Sequence, residues 1–122
     1  MEDFPKYLIK ALEVAKLSEC RFAHGAVVVS HGNILSLASN RNRNTPSPQV
    51  PLKDISYHAE VAAIRQVKNP RGAVLYVSRY SRETGQATIS RPCESCWNVI
   101  QEVGISKVIY TTFGNRWAME RA

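Results

Sequence analysis

The sequence predicts an α/β protein built as a three-layer α/β/α sandwich around a mixed sheet. Apolar residues follow helical spacing in three segments and form strand-like runs in four others, in the order α-β-β-α-β-α-β. Segments that alternate in this way pack as helices against a sheet. We expect a single domain over residues 1–122, because a chain of 122 residues can bury one core without disulfide staples but has no room for a second.

The first half of the chain is predicted to contain a helix, a hairpin and a long loop. Glu2–Leu17 carries apolar residues three and four positions apart, which is typical of an amphipathic helix. Strands are predicted at Gly25–Ser30 and Ile34–Ala38, since a Gly-containing turn separates two apolar runs. Three successive valines in the first run indicate burial on both faces. Asn40–Lys53 is polar and holds three prolines, and a loop of this length is usually functional.

The second half continues the alternation of helices and strands. In order, it is predicted to contain a helix at Ser56–Val67, a strand at Ala73–Ser78, a protruding hairpin at Arg79–Ser90, a helix at Pro92–Val103 and a strand at Ser106–Thr111. A proline at the start and Gly104 just past the end support the last of these helices. The final eleven residues fit either a short helix or an edge strand.

Composition excludes several classes of protein. No apolar run approaches the roughly 18 residues that span a bilayer, and the N-terminus is acidic and polar, unlike a secretory signal, so we expect no membrane association. Three cysteines, two of them clustered, favour a reducing, cytoplasmic location and a metal or thiol site over a disulfide framework. The net charge of +6 favours phosphates and polyanions, although basic proteins without such partners are common.

Two short motifs open the second and third predicted helices. They are His58-Ala59-Glu60 and Pro92-Cys93-Glu94-Ser95-Cys96. Cysteines three residues apart on a helix share one face and suit a single ion, and a helix N-terminus favours the thiolate. Two thiolates and one imidazole select zinc, and three protein ligands leave a fourth position for water, as in catalytic zinc sites. Glu60 is too close to His58 to be a comfortable fourth ligand, but it could take a proton from that water.

These motifs resemble the H-x-E…P-C-x-x-C signature of the zinc-dependent nucleobase deaminases with the cytidine deaminase fold. The resemblance also includes the strand at Gly25–Val29 and the strand at Ile105–Tyr110, and so covers most of the chain. It implies a cytidine deaminase-like sandwich and a Zn²⁺ cofactor held by His58, Cys93 and Cys96. It further implies that Glu60 carries a proton from water to the ring nitrogen of the base and then to the departing ammonia.

The resemblance also implies substrate contacts. Asn40 matches an asparagine that contacts the sugar, and the backbone N–H of Ala59 would donate to the base carbonyl. His24 stands where many relatives have a small apolar residue against the base, and Arg41 could bind a phosphate. For each of the three side chains a plainer interpretation stays open: a loop cap for Asn40, a strand-end histidine for His24 and a solvated basic loop for Arg41.

We therefore expect a zinc-dependent hydrolase that deaminates cytosine in a free nucleotide or nucleoside (deoxycytidylate, deoxycytidine or cytidine), acting as a homo-oligomer. One alternative is a deaminase of cytosine or adenine in single-stranded DNA or RNA. Another is a non-catalytic zinc-binding domain that recognises nucleotides. The Cys-x-x-C pair could instead be a redox pair or a structural zinc knuckle, and Cys20 could close the zinc site as a fourth ligand.

Overall fold

The computed structural model describes residues 3–20, 22–42 and 56–122. Within these ranges the helices are α1 (Lys6–Ala15), α2 (Ala59–Arg65) and α3 (Glu94–Glu102). The strands are β1 (Ala23–Ser30), β2 (Asn33–Ser39), β3 (Arg41–Asn42), β4 (Ser56–Tyr57), β5 (Val74–Ser81), β6 (Gln86–Thr88), β7 (Lys107–Thr112) and β8 (Arg116–Arg121).

Six of these strands form one mixed sheet. Its order is β2-β1-β5-β7-β8, and β6 pairs with the end of β5 as the predicted hairpin. The β5–β7 pair is parallel, whereas the other pairs are antiparallel. Helix α1 covers one face of the sheet, and α2 and α3 cover the other. The three-layer α/β/α sandwich is therefore confirmed.

Alternate residues of the central strands supply the two cores. On β1, Ala26 and Val28 pack with α2 and α3, and Val27 and Val29 pack towards α1. All three valines are buried, as the unbroken apolar run predicts. Because side chains alternate across a strand, His24 shares the face of Ala26 and Val28 and so lies on the α2–α3 side of the sheet.

The hairpin between β1 and β2 depends on its two turn residues. His31 and Gly32 both have positive φ angles, of 50° and 76°, and Ser30 pairs directly with Asn33. A two-residue turn of this kind matches the right-handed twist of the flanking strands. The Tyr7 hydroxyl of α1 donates to the Gly32 carbonyl at 2.7 Å, which ties the turn to the helix.

Helices α1 and α2 begin later than the sequence predicts, and the structure decides between the two alternatives for the C-terminal residues. Helix α1 begins at Lys6 and not at Glu2, because Pro5 precedes it with an extended backbone (ψ 143°). Helix α2 begins at Ala59, since Ser56–Tyr57 pairs with β3 as a short strand. Of the last eleven residues, predicted as a short helix or an edge strand, Arg116–Arg121 forms β8 at the sheet edge, antiparallel to β7. Most of the predicted loop at Asn40–Lys53 lies outside the described residues. No helix in the described ranges is long and apolar enough to cross a membrane.

Two helix–strand units stand side by side in the sandwich. Helix α2 leads into β5 through residues 66–73, and α3 leads into β7 through residues 103–106. These two loops are joined to each other, since the Gly72 N–H donates to the Gly104 carbonyl at 2.7 Å and the Ser106 N–H donates to the Ala73 carbonyl at 2.9 Å. Because β5 and β7 are parallel, α2 and α3 begin at the same end of the sheet, where the carboxyl ends of these two strands lie.

We expect Gly25→Ala to destabilise the fold strongly. A Cβ at Gly25 would lie 2.0 Å from the Ala11 carbonyl oxygen and 2.5 Å from the Ala15 nitrogen, so α1 would have to move off β1. Overpacking of this kind costs about 3 kcal/mol or more. The matched control is Gly32→Ala, which meets no atom within 4 Å and loses only about 1–2 kcal/mol to its positive φ. Urea unfolding measures both, and equal losses would contradict the close helix–strand packing.

Candidate active site

Three predicted metal ligands come together at the starts of α2 and α3. His58 is the N-cap of α2, Cys93 is the N-cap of α3, and Cys96 lies in the first turn of α3. The ligand atoms of all three lie within 4.8 Å of one another, and His58 Nδ1 lies 3.1 Å from Cys96 Sγ and 3.7 Å from Cys93 Sγ. One imidazole and two thiols gathered this closely are a donor set that fits zinc, which binds such ligands at about 2.0–2.3 Å in tetrahedral geometry.

Cys20 is not part of this group. It is buried just beyond α1, where its carbonyl accepts a hydrogen bond from Arg82 Nη1 at 2.9 Å. Within the described residues the metal-ligating group consists of one histidine and two cysteines. Such a group leaves a coordination position for water, unlike the closed four-ligand site that Cys20 would have completed.

The two thiols differ in their environments. Burial acts to raise the pKa of the half-exposed Cys93, but hydrogen bonds from the Ser95 hydroxyl and the Cys96 backbone outweigh it, and the pKa is lowered. The Ser95 oxygen lies 3.2 Å from Cys93 Sγ. Burial and the nearby Glu60 carboxylate raise the pKa of Cys96. A bound cation would favour both thiolates, so metal binding is coupled to the loss of protons from this pair.

Glu60 places a buried carboxyl group beside the ligands. It is the second residue of α2, and its side chain is only 5% exposed. Burial raises the pKa of Glu60, opposed by its own backbone hydrogen bond, by the charge of His58 and by a hydrogen bond with the Cys96 thiol. A carboxyl group with a raised pKa that touches a metal ligand is suited to hold or release a proton.

The predicted substrate-contact residues lie around the same end of the sheet, where the carboxyl ends of β5 and β7 lie. Ala59 is fully buried at the first position of α2, where the backbone N–H has no carbonyl partner within the helix. Asn40 is buried, and its Oδ1 accepts from the His24 N–H at 2.8 Å and the Ser18 hydroxyl at 2.7 Å, while its Nδ2 donates to the Phe22 carbonyl at 2.6 Å. Asn40, which directly follows β2, is thus hydrogen-bonded to the segment after α1 and to the start of β1.

His24 is held in one tautomer. Its Nδ1 lies 3.2 Å from the Phe22 carbonyl, to which it donates as N–H, so that Nε2 is an acceptor. Burial lowers the pKa of His24 to about 4, opposed by this hydrogen bond and reinforced by the positive charges of Arg79 and His58. The side chain is therefore neutral at pH 7. Arg41 belongs to β3, and its side chain lies outside the described residues.

Sequence reasoning missed the residues that hold the cysteine segment in place. The Ser90 hydroxyl is buried and donates to the Val77 carbonyl on β5 at 2.8 Å, and the Ser90 N–H donates to the Thr111 carbonyl on β7 at 2.9 Å. The Thr111 N–H returns a bond to the Ser90 hydroxyl at 2.9 Å. Ser90 therefore bridges the parallel strand pair three residues before Cys93. A serine in a charged segment carries no sequence signal for such a role.

We expect Cys96→Ser to lose zinc and Cys20→Ser to keep it. Both thiols are buried, but only Cys96 belongs to the ligand group. Metal analysis after dialysis should find about one zinc ion per chain in the wild type and in Cys20→Ser, and a small fraction of that in Cys96→Ser. Zinc loss in Cys20→Ser as well would place the metal elsewhere.

We expect His24 to make the metal-free protein less stable in acid. Because the pKa of His24 is about 4 in the folded protein and near 6.5 when unfolded, the unfolded chain binds the extra proton between these values. Stability should therefore fall as the pH drops from 6.5 to 4, by roughly 2–3 kcal/mol. His24→Gln should lack this component in urea unfolding at pH 7 and pH 4.5. Equal pH dependence in the two proteins would show that His24 titrates normally.

Comparisons with known proteins agree with this geometry. Residues 1–112 match the model of the cytidine and deoxycytidylate deaminase zinc-binding region. Among curated proteins none matches the chain. Solved structures with a similar fold include the dCMP deaminase of the cyanophage S-TIM5, with 24% identity over 88% of this chain and 80% of that one (TM-score 0.68). The cytidine deaminase of Burkholderia pseudomallei has 18% identity over 97% and 92% of the two chains (TM-score 0.70).

Acinetobacter baumannii RibD contains a similar fold in 27% of its chain, matching 88% of this one at 20% identity with a TM-score of 0.56. Likeness at these identities is a likeness of fold, whereas the family model spans nearly the whole sequence, including both motifs. With His58, Cys93 and Cys96 gathered as zinc ligands at the starts of α2 and α3, the chain belongs to the cytidine and deoxycytidylate deaminase family.

Proposed function

We propose that the protein deaminates cytosine hydrolytically in a free nucleotide or nucleoside, such as deoxycytidylate, deoxycytidine or cytidine. The observation that carries this proposal is the buried Glu60 carboxyl group, hydrogen-bonded to Cys96 at a three-ligand zinc site. In the reaction a C–O bond forms at the carbon that bears the exocyclic amine, the C–N bond breaks, and water and cytosine become ammonia and uracil.

Zinc, when bound by His58, Cys93 and Cys96, lowers the pKa of water towards about 7. Glu60 would carry out the proton transfers of the reaction. Its carboxylate accepts a proton from water, delivers it to the ring nitrogen of the base and then transfers the second proton to the leaving ammonia. The burial that raises the pKa of Glu60 favours the protonated form that the second half of this cycle requires.

Backbone and side-chain groups around the site would orient the base. The Ala59 N–H lies at the positive end of α2 and would donate to the base carbonyl. The side-chain amide of Asn40 has two N–H donors. One donates to the Phe22 carbonyl, and the other would donate to a sugar oxygen. His24 would offer its Nε2 acceptor to a donor on the substrate, unlike the apolar residue of many relatives.

We also propose that Arg41 binds the phosphate of a nucleotide substrate. Arg41 follows Asn40 directly, and the S-TIM5 enzyme has been crystallised with dCMP and dUMP. The basic residue next to Asn40 is the reason for proposing a nucleotide rather than a nucleoside.

Location and assembly are also inferred. Zinc-binding thiolates that must stay reduced support a cytoplasmic protein of nucleotide metabolism. The edge strand β2 exposes Ile34, Leu35 and Leu37 to 40–43%, which supports a homo-oligomer.

A second candidate substrate is single-stranded nucleic acid. A groove beside β6 is lined by three cations, two carboxylates and aromatic rings; the charged residues are Lys16, Arg79, Arg82, Glu19 and Glu83. Arg79 stacks on the half-exposed Phe22 at 4.5 Å. Arg79 pairs with His24 in the β1–β5 register, so the groove begins next to the candidate site. Cations alternating with aromatic rings are typical of single-strand binding.

We expect Glu60→Gln to lower the deamination rate by about 10²–10⁴-fold while zinc stays bound, because the amide cannot carry the proton. Ammonia release from deoxycytidylate, deoxycytidine, cytidine and a cytosine-containing oligonucleotide measures this. Glu102→Gln, an exposed change at the far end of α3, is the matched control and should keep full activity.

Turnover of the oligonucleotide alone, falling steeply with salt, would replace the free-nucleotide proposal with the single-strand one. Equal activity in Glu60→Gln and the wild type would rule out the role of Glu60. No turnover of any of these substrates by the zinc-loaded protein would favour another base or a non-catalytic zinc domain.

A further inference from the structure

A bidentate ion pair lies next to Cys93–Cys96, the metal-binding segment, and neither of its residues is a metal ligand. Arg91 Nε lies 2.6 Å from Glu120 Oε2, and Arg91 Nη2 donates to Glu120 Oε1 at 3.2 Å. The Tyr110 hydroxyl also donates to Glu120 Oε2, at 2.7 Å. The guanidinium carbon of Arg91 lies 4.9 Å from the centre of the Trp97 ring. We call these four residues the Arg91–Glu120 brace.

The brace is attached to both ends of the metal-binding segment. Arg91 stands two residues before Cys93, and Trp97 directly follows Cys96. Glu120 belongs to β8, and Tyr110 belongs to the neighbouring strand β7. The Glu120 carboxylate therefore links β8 to Arg91, which precedes the two cysteine ligands and contacts Trp97, the residue that follows them.

An exposed ion pair usually contributes little, because water screens the charges and the long side chains lose freedom. This one has features that make it an exception. Both carboxylate oxygens take part, the guanidinium uses its planar fork, and a third donor fixes the carboxylate. Stacking on Trp97 restricts the guanidinium further, although the Arg91 and Glu120 side chains are 48% and 36% exposed.

Preorganisation of a metal site depends on such outer contacts. In the metal-free protein the two thiols and the imidazole are held together only by weak contacts such as that between His58 Nδ1 and Cys96 Sγ, so the segment from Arg91 to Cys96 must not relax away from His58. Groups that orient ligands from outside the coordination sphere typically change metal affinity by about 10–100-fold.

We propose that Glu120 is a positioning residue for the zinc site. By holding Arg91 against Trp97, it keeps the Cys93–Cys96 turn in the conformation that binds zinc, and it thereby raises the affinity for zinc. The proposal rests on the zinc ligands and is independent of which base the protein deaminates.

The test is the zinc dissociation constant, measured by competition with a chromogenic chelator at low salt. Glu120→Gln removes the charge and one good acceptor, and Arg91→Lys keeps the charge but loses the fork and the stacking. We expect each change to weaken zinc binding by about 10-fold. The double variant should be no weaker than either single variant, because both changes break the same contact.

The matched control is Glu13→Gln, which breaks the Lys10–Glu13 pair on the exposed side of α1, with side chains 44% and 61% exposed. It should leave the zinc affinity unchanged. Raising the salt to 0.5 M should weaken zinc binding by the wild type more than by Glu120→Gln, since the charges of the brace are screened only where they are present.

Thermal unfolding of the metal-free proteins separates positioning from folding. Positioning predicts a larger loss of stability in the zinc-loaded than in the metal-free form of Glu120→Gln. Equal losses in the two forms, a zinc affinity like that of Glu13→Gln, or additive effects of the two single changes would overturn the proposal. Zinc affinity is measured without substrate, so failure of the deamination assay leaves this outcome unaffected.

Discussion

The parallel pairing of β5 with β7 is the constraint on which the rest of the structure depends. Helix α2 precedes β5 and helix α3 precedes β7, and the two loops that connect them to these strands are hydrogen-bonded to each other. The helices therefore begin at one edge of the sheet. His58 and Cys93, 35 residues apart in sequence, become N-caps of neighbouring helices with ligand atoms 3.7 Å apart.

This arrangement brings two positive helix ends together, and the side chains there are suited to that field. Cys93 and Glu60 stand at the starts of α3 and α2, where the helix dipole favours the thiolate and the carboxylate over their neutral forms. The neighbouring Cys96 is different, because burial and then the Glu60 carboxylate raise the pKa of its thiol and keep it protonated in the absence of metal. A divalent cation relieves this repulsion, so metal binding and the ionisation of the site depend on each other.

The cysteine segment is positioned by three strands in addition to its own helix. Ser90 is hydrogen-bonded to β5 and β7 in the interior, and Arg91 is paired with β8 at the surface. The C-terminal edge strand thus does more than extend the sheet. Because Glu120 and Tyr110 meet Arg91 two residues before Cys93, the last strand and the zinc ligands form one connected unit.

The sequence alone determined those features that depend on residues a few positions apart. The valine run implied burial on both faces of β1, the Gly-containing segment His31–Asn33 implied a turn, and the two short motifs implied zinc ligands at helix starts. Tertiary structure alone decided that Arg116–Arg121 forms β8 and that α2 starts after a short strand. It also decided that Asn40 bonds to Ser18 and that Glu120 bonds to Arg91. Those outcomes depend on partners distant in sequence, whose hydrogen bonds form only after the sheet has brought them together.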